Sequence, residues 1–346
     1  MPLEVAGLAE GAGCEAAYYT KLADGRVHCL LCPQDCRIPP GKAGVCRVRK
    51  NIGGTLYATK YARCASYAMD PVEKKPLYHF YPGTYVFSLA AFGCNLRCRH
   101  CQNWELSQGD GEDIEMTPTQ AVAIAEAWRH PRHRCIGLAY TYSEPLVWFE
   151  MVRDTANIAK QRGLKNVLVT NGYVREEPLR ELLPVIDAMN VDVKAFTEGF
   201  YKRVCSGRLE PVLRTVETAH AEGCHVEVTT LLIPGLNDGP EEIGELVDWL
   251  AGVSPDIPLH FSRYFPNYEM DEPPTPLATL KRARDIARRR LRYVYLGNAW
   301  ELDAGETVCP SCGAVLVRRD GYLADSSGLD GDKCRACGAS VNFRNT

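Results

Sequence analysis

Of the sixteen cysteines, most fall in three tight groups: Cys29, Cys32, Cys36 and Cys46; Cys94, Cys98 and Cys101; Cys309, Cys312, Cys334 and Cys337. The amino terminus has no basic segment followed by an apolar stretch, so the sequence predicts a cytoplasmic protein without a membrane partner. In that setting closely spaced thiols serve metal or redox chemistry more often than a disulfide framework.

The central group, Cys94-x3-Cys98-x2-Cys101 in FGCNLRCRHCQNW, directly follows a strand-like run. Three thiolates within one short loop let the chain wrap a small metal centre. The odd count is the informative part. A closed tetrahedral site takes four protein ligands, whereas three leave a position for a reactant. A [4Fe–4S] cluster held by three cysteines has one iron free. A zinc knuckle that borrows His100 as its fourth ligand is the structural alternative.

Each outer group offers four ligands. Cys309-Pro-Ser-Cys312-Gly and Cys334-Arg-Ala-Cys337-Gly are paired knuckles, the composition of structural zinc or of rubredoxin-type iron. Nearby Arg318, Arg319, Lys333, Arg335 and Arg344 come without an aromatic platform, so docking or stapling is expected rather than nucleic-acid binding. Cys29, Cys32, Cys36 and Cys46 suit zinc or an auxiliary Fe–S cluster, and spacing does not choose between them. Cys14, Cys64, Cys135, Cys205 and Cys224 read as small buried apolar residues.

The elements that must position these groups follow from periodicity. Strand-like runs cover Tyr85–Phe92, Ile136–Thr141, Asn166–Thr170, Asn190–Ala195, His225–Ile233 and Leu259–Tyr264. Helical runs cover Thr117–His130, Val147–Arg162, Glu176–Ile186, Glu210–Glu222, Pro240–Ala251 and Pro276–Leu291. Six βα units with short connections predict an α/β fold with a parallel sheet, either doubly wound or curled into an incomplete barrel. Residues 1–84 read as a Cys-rich metal-binding module and linker, with a loop from Met69 to Lys75. Residues 85–300 read as the α/β unit and 301–346 as a zinc-ribbon-like module. The 346 residues carry 40 basic and 43 acidic side chains and are 46% hydrophobic, an ordinary globular balance without a broad field for nucleic acid or anionic lipid. The seven basic residues between Lys281 and Arg292 share a helix with an apolar stripe of Leu280, Ala283, Ala287 and Leu291, a solvated face over a buried one.

A cysteine triplet of this spacing after the first strand of a six-fold βα run resembles the radical S-adenosylmethionine (SAM) superfamily. That resemblance implies a partial (β/α)6 barrel of the TIM type, and a [4Fe–4S] cluster on Cys94, Cys98 and Cys101. It also implies reductive cleavage of SAM to a 5′-deoxyadenosyl radical that abstracts hydrogen. The residue before the third cysteine is usually aromatic there, and His100 takes that place. Tyr142-Ser143-Glu144-Pro145 stands where the superfamily has Gly-Gly-Glu-Pro for the SAM amino group. Thr170-Asn171-Gly172 resembles the turn that meets ribose and carboxylate. Asp192-Val193-Lys194 resembles the Asp-x-Lys of glycyl-radical activating enzymes, whose lysine approaches the SAM carboxylate. Ile233-Pro-Gly-Leu-Asn-Asp238 matches the same group's Pro-Gly turn, and His260 falls at its SAM-facing histidine. Val169 replaces the acidic residue that helps hold a cation in pyruvate formate-lyase activating enzyme, which counts against such a cation here.

From about residue 26 to 340 the chain resembles the radical SAM member of the AmmeMemoRadiSam system. The match rests on HCLLCPQDCRIPPGKAGVCRVRKN, DPVEKKPLYHFYPG, TYSEP, VTNGY, VDVKAF, IPGLND, YLGN and CPSCG. The resemblance implies an electron donor such as flavodoxin or ferredoxin, and association with AMMECR1-like and Memo-like proteins. It leaves a protein backbone glycine, a small molecule and a nucleotide as substrate classes. The rival from another class is a non-catalytic zinc-rich scaffold that binds protein or nucleic acid.

Overall fold

A computed structural model describes residues 13–130, 134–302 and 305–345. Residues 1–12, on which the expectation of no leader segment rests, lie outside it.

Eight strands form the central sheet: β1 (Ser66–Pro71), β2 (Tyr85–Ala90), β3 (Cys135–Tyr140), β4 (Lys165–Thr170), β5 (Ala188–Asp192), β6 (His225–Leu232), β7 (Leu259–Arg263) and β8 (Val294–Gly297). They lie side by side in chain order, β2 to β8 parallel and β1 antiparallel on the outer edge of β2. A doubly wound sheet must reverse its strand order at a switch point. No reversal occurs here, so of the two windings left open by periodicity the doubly wound one is excluded. Right-handed crossovers then carry every connecting helix to the same face. These helices are α1 (Pro118–Ala127), α2 (Phe149–Gln161), α3 (Glu176–Leu182), α4 (Glu210–Ala221), α5 (Pro240–Val253) and α6 (Leu277–Ala287). Thr117 caps α1 through a reciprocal capping box with Gln120, and Pro118 occupies the first turn, where no N–H is needed.

Several boundaries differ from the sequence reading. The expected helix Glu176–Ile186 leaves α geometry after Leu182 for the 3-10 turn Leu183–Val185, because Pro184 has no N–H to give to a fourth preceding carbonyl. The strand expected at Asn190–Ala195 begins two residues earlier and ends at Asp192, so Lys194 sits on the loop beyond it. Strand β8 and strand β1 were not expected. The latter corrects the reading of Met69 to Lys75 as loop: Met69–Pro71 completes β1, and Val72–Lys74 is a 3-10 turn.

The segment after β1 does more than connect. Val72, Leu77 and Phe80 pack on Val86, Ala139, Val167 and Ala188, which stand on the sheet face away from the helices. The Tyr78 and His79 N–H groups donate to Glu227, and Pro76 accepts from Asn190 at 2.8 Å. The stretch DPVEKKPLYHFYPG therefore lines the inner face of the sheet as a floor.

The amino-terminal module docks on the α/β unit rather than hanging from it. Val27, Leu31, Ile38 and Leu56 belong to the same buried cluster as the helix-facing side of the sheet. Arg49 reaches Glu150 on α2 at 2.9 Å, both buried. Gly93 shows how close the approach is: a Cβ there would sit 2.7 Å from the Cys46 carbonyl and 2.6 Å from Val48, at a φ of +106°. At the other end, the three-stranded sheet of Thr307–Val308, Val315–Asp320 and Leu323–Asp325 docks on the floor segment. Arg319 donates to the Tyr78 carbonyl at 2.5 Å, and Tyr81 and Arg344 exchange a backbone bond of 2.7 Å. Among the described residues no helix is long and apolar enough to cross a membrane.

Candidate active site

The carboxyl ends of successive strands surround one cavity of about 440 Å³. Thr229 and Leu231 of β6, and His260 and Ser262 of β7, reach it as alternate residues on one strand face. Cys94, Cys98, Cys101, Tyr142, Ser143, Asn171, Asp192, Lys194 and His260 all line it. Residues scattered over 167 positions of sequence thus meet because parallel strands in chain order present their ends together.

The loop that carries the three cysteines is held on both sides. The Arg97 and Arg99 N–H groups donate to the carbonyls of Cys205 and Val204, at 2.8 and 3.0 Å. Gly93 N–H donates to Leu106 of the one-turn helix Trp104–Ser107, and Ser107 meets the Cys101 sulfur at 3.1 Å. Cys205, read from sequence as an inert apolar residue, is buried against Cys98. Its thiol and the Lys194 charge hold Cys98 below the usual thiol range against the opposing effect of burial. Burial, then the Lys194 charge, pushes His100 down to about 3, so its ring is neutral at neutral pH. The buried His100 Nδ1 has no partner among the described residues.

Glu144 takes a different place from the one the resemblance implied. It does not line the cavity but lies behind the wall. Its carboxylate accepts from Leu146 N at 2.9 Å, Thr170 Oγ1 at 2.7 Å and Asn171 N at 2.8 Å. Three donors fill most of its capacity, so it joins the ends of β3 and β4. Burial outweighs these bonds and raises its carboxyl to about 7. Tyr142, which stands where the superfamily has glycine, takes a φ of +67°. This left-handed geometry is costly for a bulky residue. The ring is fixed by Lys75 Nζ 4.3 Å from its centroid and by the bond of its hydroxyl to Asp70.

Asn171 turns toward the cysteines. Its Nδ2 lies 3.5 Å from the Cys94 sulfur and 3.0 Å from Asn95 Oδ1, while its Oδ1 accepts from Tyr173 N. Gly172 makes this turn with a φ of +66°, where a Cβ would stand 2.9 Å from Val191. Lys194 Nζ is 3.0 Å from Asp192 Oδ2. Burial acts against its charge, but Asp192 and then Cys98 hold the ammonium well above its ordinary range. His260 Nε2 donates to Glu227 Oε2 at 2.7 Å, with His225 on the other oxygen at 3.1 Å. Asn237 of the Pro-Gly turn braces the site from outside, donating to the Lys194 carbonyl at 2.7 Å.

Sequence reasoning missed the floor. Glu73, Lys74, Lys75, Pro76 and Tyr78 line the cavity, and Tyr322 of the carboxyl-terminal sheet reaches its edge. Lys75 Nζ is buried 2.7 Å from Asp70 Oδ2, and burial lowers its ammonium to about 8. The signal for this was a charged run, Asp70 to Lys75, beside an aromatic string. Glu227, a lone acid within an apolar strand, was also passed over.

The carboxyl-terminal cysteines converge. The four sulfurs lie within 4.8 Å of one another, with Cys309–Cys337 at 3.8 Å and Cys312–Cys334 at 3.7 Å.

The radical SAM superfamily profile matches residues 90–250, from the last residue of β2 to near the end of α5. The chain is 45% identical to the uncharacterized protein MJ0808 of Methanocaldococcus jannaschii, over 95% of this chain and 99% of that one. It belongs to the radical SAM superfamily, a class of enzymes whose chemistry implies a [4Fe–4S] cluster and SAM. The pyruvate formate-lyase-activating enzyme of Clostridium pasteurianum is 24% identical over 46% of this chain and 67% of its own. The crystal structure of a radical SAM methyltransferase from Sphaerobacter thermophilus shares the fold, with a TM-score of 0.50 at 17% identity over 68% of this chain and 71% of that one. Membership of an enzyme class sets aside the non-catalytic scaffold.

Proposed function

We propose that this chain uses Cys94, Cys98 and Cys101 to hold a [4Fe–4S] cluster and cleaves SAM to start hydrogen abstraction from a substrate at the cavity mouth. One observation supports this most: three thiols and the polar strand ends open onto a single cavity. The cavity fits such an occupant in its polar groups, since buried His100 Nδ1, Thr229 Oγ1 and Glu73 Oε2 on its wall have no partner among the described residues. When bound, the cluster supplies the electron that cleaves SAM to the 5′-deoxyadenosyl radical.

The chain's own residues bind and orient. Lys194, kept cationic by Asp192, faces a carboxylate; the carbonyls of Tyr142 and Ser143 accept from an ammonium. Asn171 offers an amide to the Cys94 sulfur, and His260, anchored by Glu227, presents its ring to the cavity. Glu144 acts as a positioning residue that holds Asn171 and Thr170. The floor segment and Tyr322 narrow the cavity and exclude water from it.

We read the sheet as the partial (β/α)6 barrel of the TIM type within residues 85–300, and residues 301–346 as a zinc-ribbon-like module. Four sulfurs about 2.3 Å from one tetrahedral ion stand about 3.8 Å apart, which the measured pairs match. Residues 1–84 form the Cys-rich module. The motif order supports the AmmeMemoRadiSam branch, with AMMECR1-like and Memo-like proteins as partners, a flavodoxin or ferredoxin as donor, and a cytoplasmic location. A protein backbone glycine is the favoured substrate class, because an activase of that kind is among the relatives.

The test is SAM cleavage under anaerobic conditions with dithionite. Cys98→Ala abolishes 5′-deoxyadenosine formation while the circular dichroism of the folded chain is retained. Unchanged cleavage in that variant overturns the cluster assignment. Deuterium transfer into 5′-deoxyadenosine from a labelled glycine in a partner protein identifies the substrate class.

A further inference from the structure

Cys29, Cys32, Cys36 and Cys46 come from separate turns of the amino-terminal module, yet all four line one small cavity. Leu31, Ile38 and Val147 close it with apolar walls. Four thiols in such a setting gain nothing from one another without a cation.

A second observation points to an occupant. Arg49 is buried on the cavity wall, and its Nε has no partner among the described residues. The rest of its guanidinium is satisfied by Glu150 and by the Ala17 carbonyl. A buried N–H donor left unpaired costs about 1–3 kcal/mol. Sulfur-rich occupants accept such donors.

The sulfur spacing separates the two kinds of occupant. In the carboxyl-terminal group the sulfurs have closed to the spacing of a single tetrahedral ion. Among the described residues that is the one set in which three or more such ligand atoms lie within 4.8 Å of one another. No three sulfurs of the amino-terminal four lie within 4.8 Å of one another, and neither do those of Cys94, Cys98 and Cys101. Wide spacing suits a polynuclear cluster, in which each thiolate binds a different iron.

The site also abuts the loop of the radical SAM cysteines. The Cys46 carbonyl lies under Gly93. Gln34, which stands between Cys32 and Cys36 and lines the cavity, donates to the carbonyl of Asn95, the residue after Cys94, at 2.7 Å. Asn171 links Asn95 to the Cys94 sulfur. A continuous path of bonded atoms therefore joins the two cysteine sites.

We propose that Cys29, Cys32, Cys36 and Cys46 hold a second, four-thiolate iron–sulfur cluster that passes electrons to the Cys94/Cys98/Cys101 site. In this step a low-potential one-electron donor protein is oxidised, the second cluster takes up one electron and then returns to its oxidised form, and no proton or bond changes hands. The transfer rests on the radical SAM reading; the identity of the occupant does not.

The full chain is reconstituted anaerobically with ferrous iron and sulfide, and iron and zinc are counted. Two four-iron clusters give about eight irons per chain, and Cys98→Ala keeps about four, with a dithionite-reducible paramagnetic signal. A Cys98→Ala protein that carries zinc and no iron at this site overturns the proposal. Iron retained in Cys98→Ala when the unaltered chain never cleaves SAM upholds the second cluster and overturns the radical reading instead. For the transfer, the Cys32→Ala/Cys36→Ala variant cleaves SAM with dithionite but at least tenfold more slowly with reduced flavodoxin. Equal slowing with both donors, or none with either, overturns the relay.

Discussion

Glu227 meets His260 at 2.7 Å on the inner face of the sheet, with both side chains closed off from solvent. The same carboxylate takes the N–H groups of Tyr78 and His79, so one acid fixes both the cavity-lining histidine and the floor beneath it. Burial opposes its charge, but the bonds from His225 and His260 prevail and hold the carboxyl well below its ordinary 4.5. A depressed carboxyl contributes stability above the unfolded value and loses it as pH falls. Removing one member of such a buried set costs about 3–5 kcal/mol. Glu227→Gln is expected to lose that much at pH 7 in urea unfolding, with the gap to the parent narrowing as pH drops below 4.5.

Glu144 should behave in the opposite sense. Its folded-state carboxyl is raised to about 7, so the folded chain holds its proton more tightly than the unfolded chain. The stability of the unliganded protein therefore falls as pH rises from 4.5 to about 7, by about 3 kcal/mol from this group. Glu144→Gln removes that part of the slope, which a series of urea midpoints between pH 4.5 and pH 8 will measure.

Gly93→Ala tests the docking of the amino-terminal module. The added methyl meets the Cys46 carbonyl and Val48, and the residue must keep a φ of +106°. Overpacking of this kind costs about 1–3 kcal/mol, and the left-handed backbone adds to it. Hydrogen exchange is expected to quicken in residues 44–50 and 93–101 together, with β5 to β8 unaffected.

Removing the carboxyl-terminal ion should unfold that module alone. Its apolar cluster is Cys309, Leu316, Val317, Leu329, Cys334, Val341 and Phe343, too small a core to stand without a staple. A strong chelator is expected to release about one zinc per chain and expose residues 305–345 to exchange. The loss of Tyr322 from the cavity edge, and of Arg319 from its contact with Tyr78, should then weaken SAM binding, measured by calorimetry.

Much of the cavity lining was legible in the sequence, because its signals are local. Ligand spacing within a loop, such as Cys94 to Cys101, is fixed by a few bonds of chain. Strand and helix periods are fixed by backbone geometry, so β2, β3, β4, β6 and β7 fall close to their expected positions. Sequence also determined that Asp192 and Lys194 would form a pair at a strand end.

Other features were decided only by long-range packing. Glu144 carries the right residue type in the right turn, yet it is drawn behind the wall by its local cap bond from Leu146 and by Thr170 and Asn171, donors that only the neighbouring strand end brings to it. The run from Asp70 to Tyr78 has loop composition, and it becomes the cavity floor because the sheet's inner face offers apolar side chains and Glu227 to cover. Cys205 has no local partner in the chain, and the fold sets it against Cys98 across more than a hundred residues. Spacing along a chain encodes what neighbours can reach. Which distant surfaces close over one another is settled when the whole molecule buries its apolar area and pairs its buried polar groups.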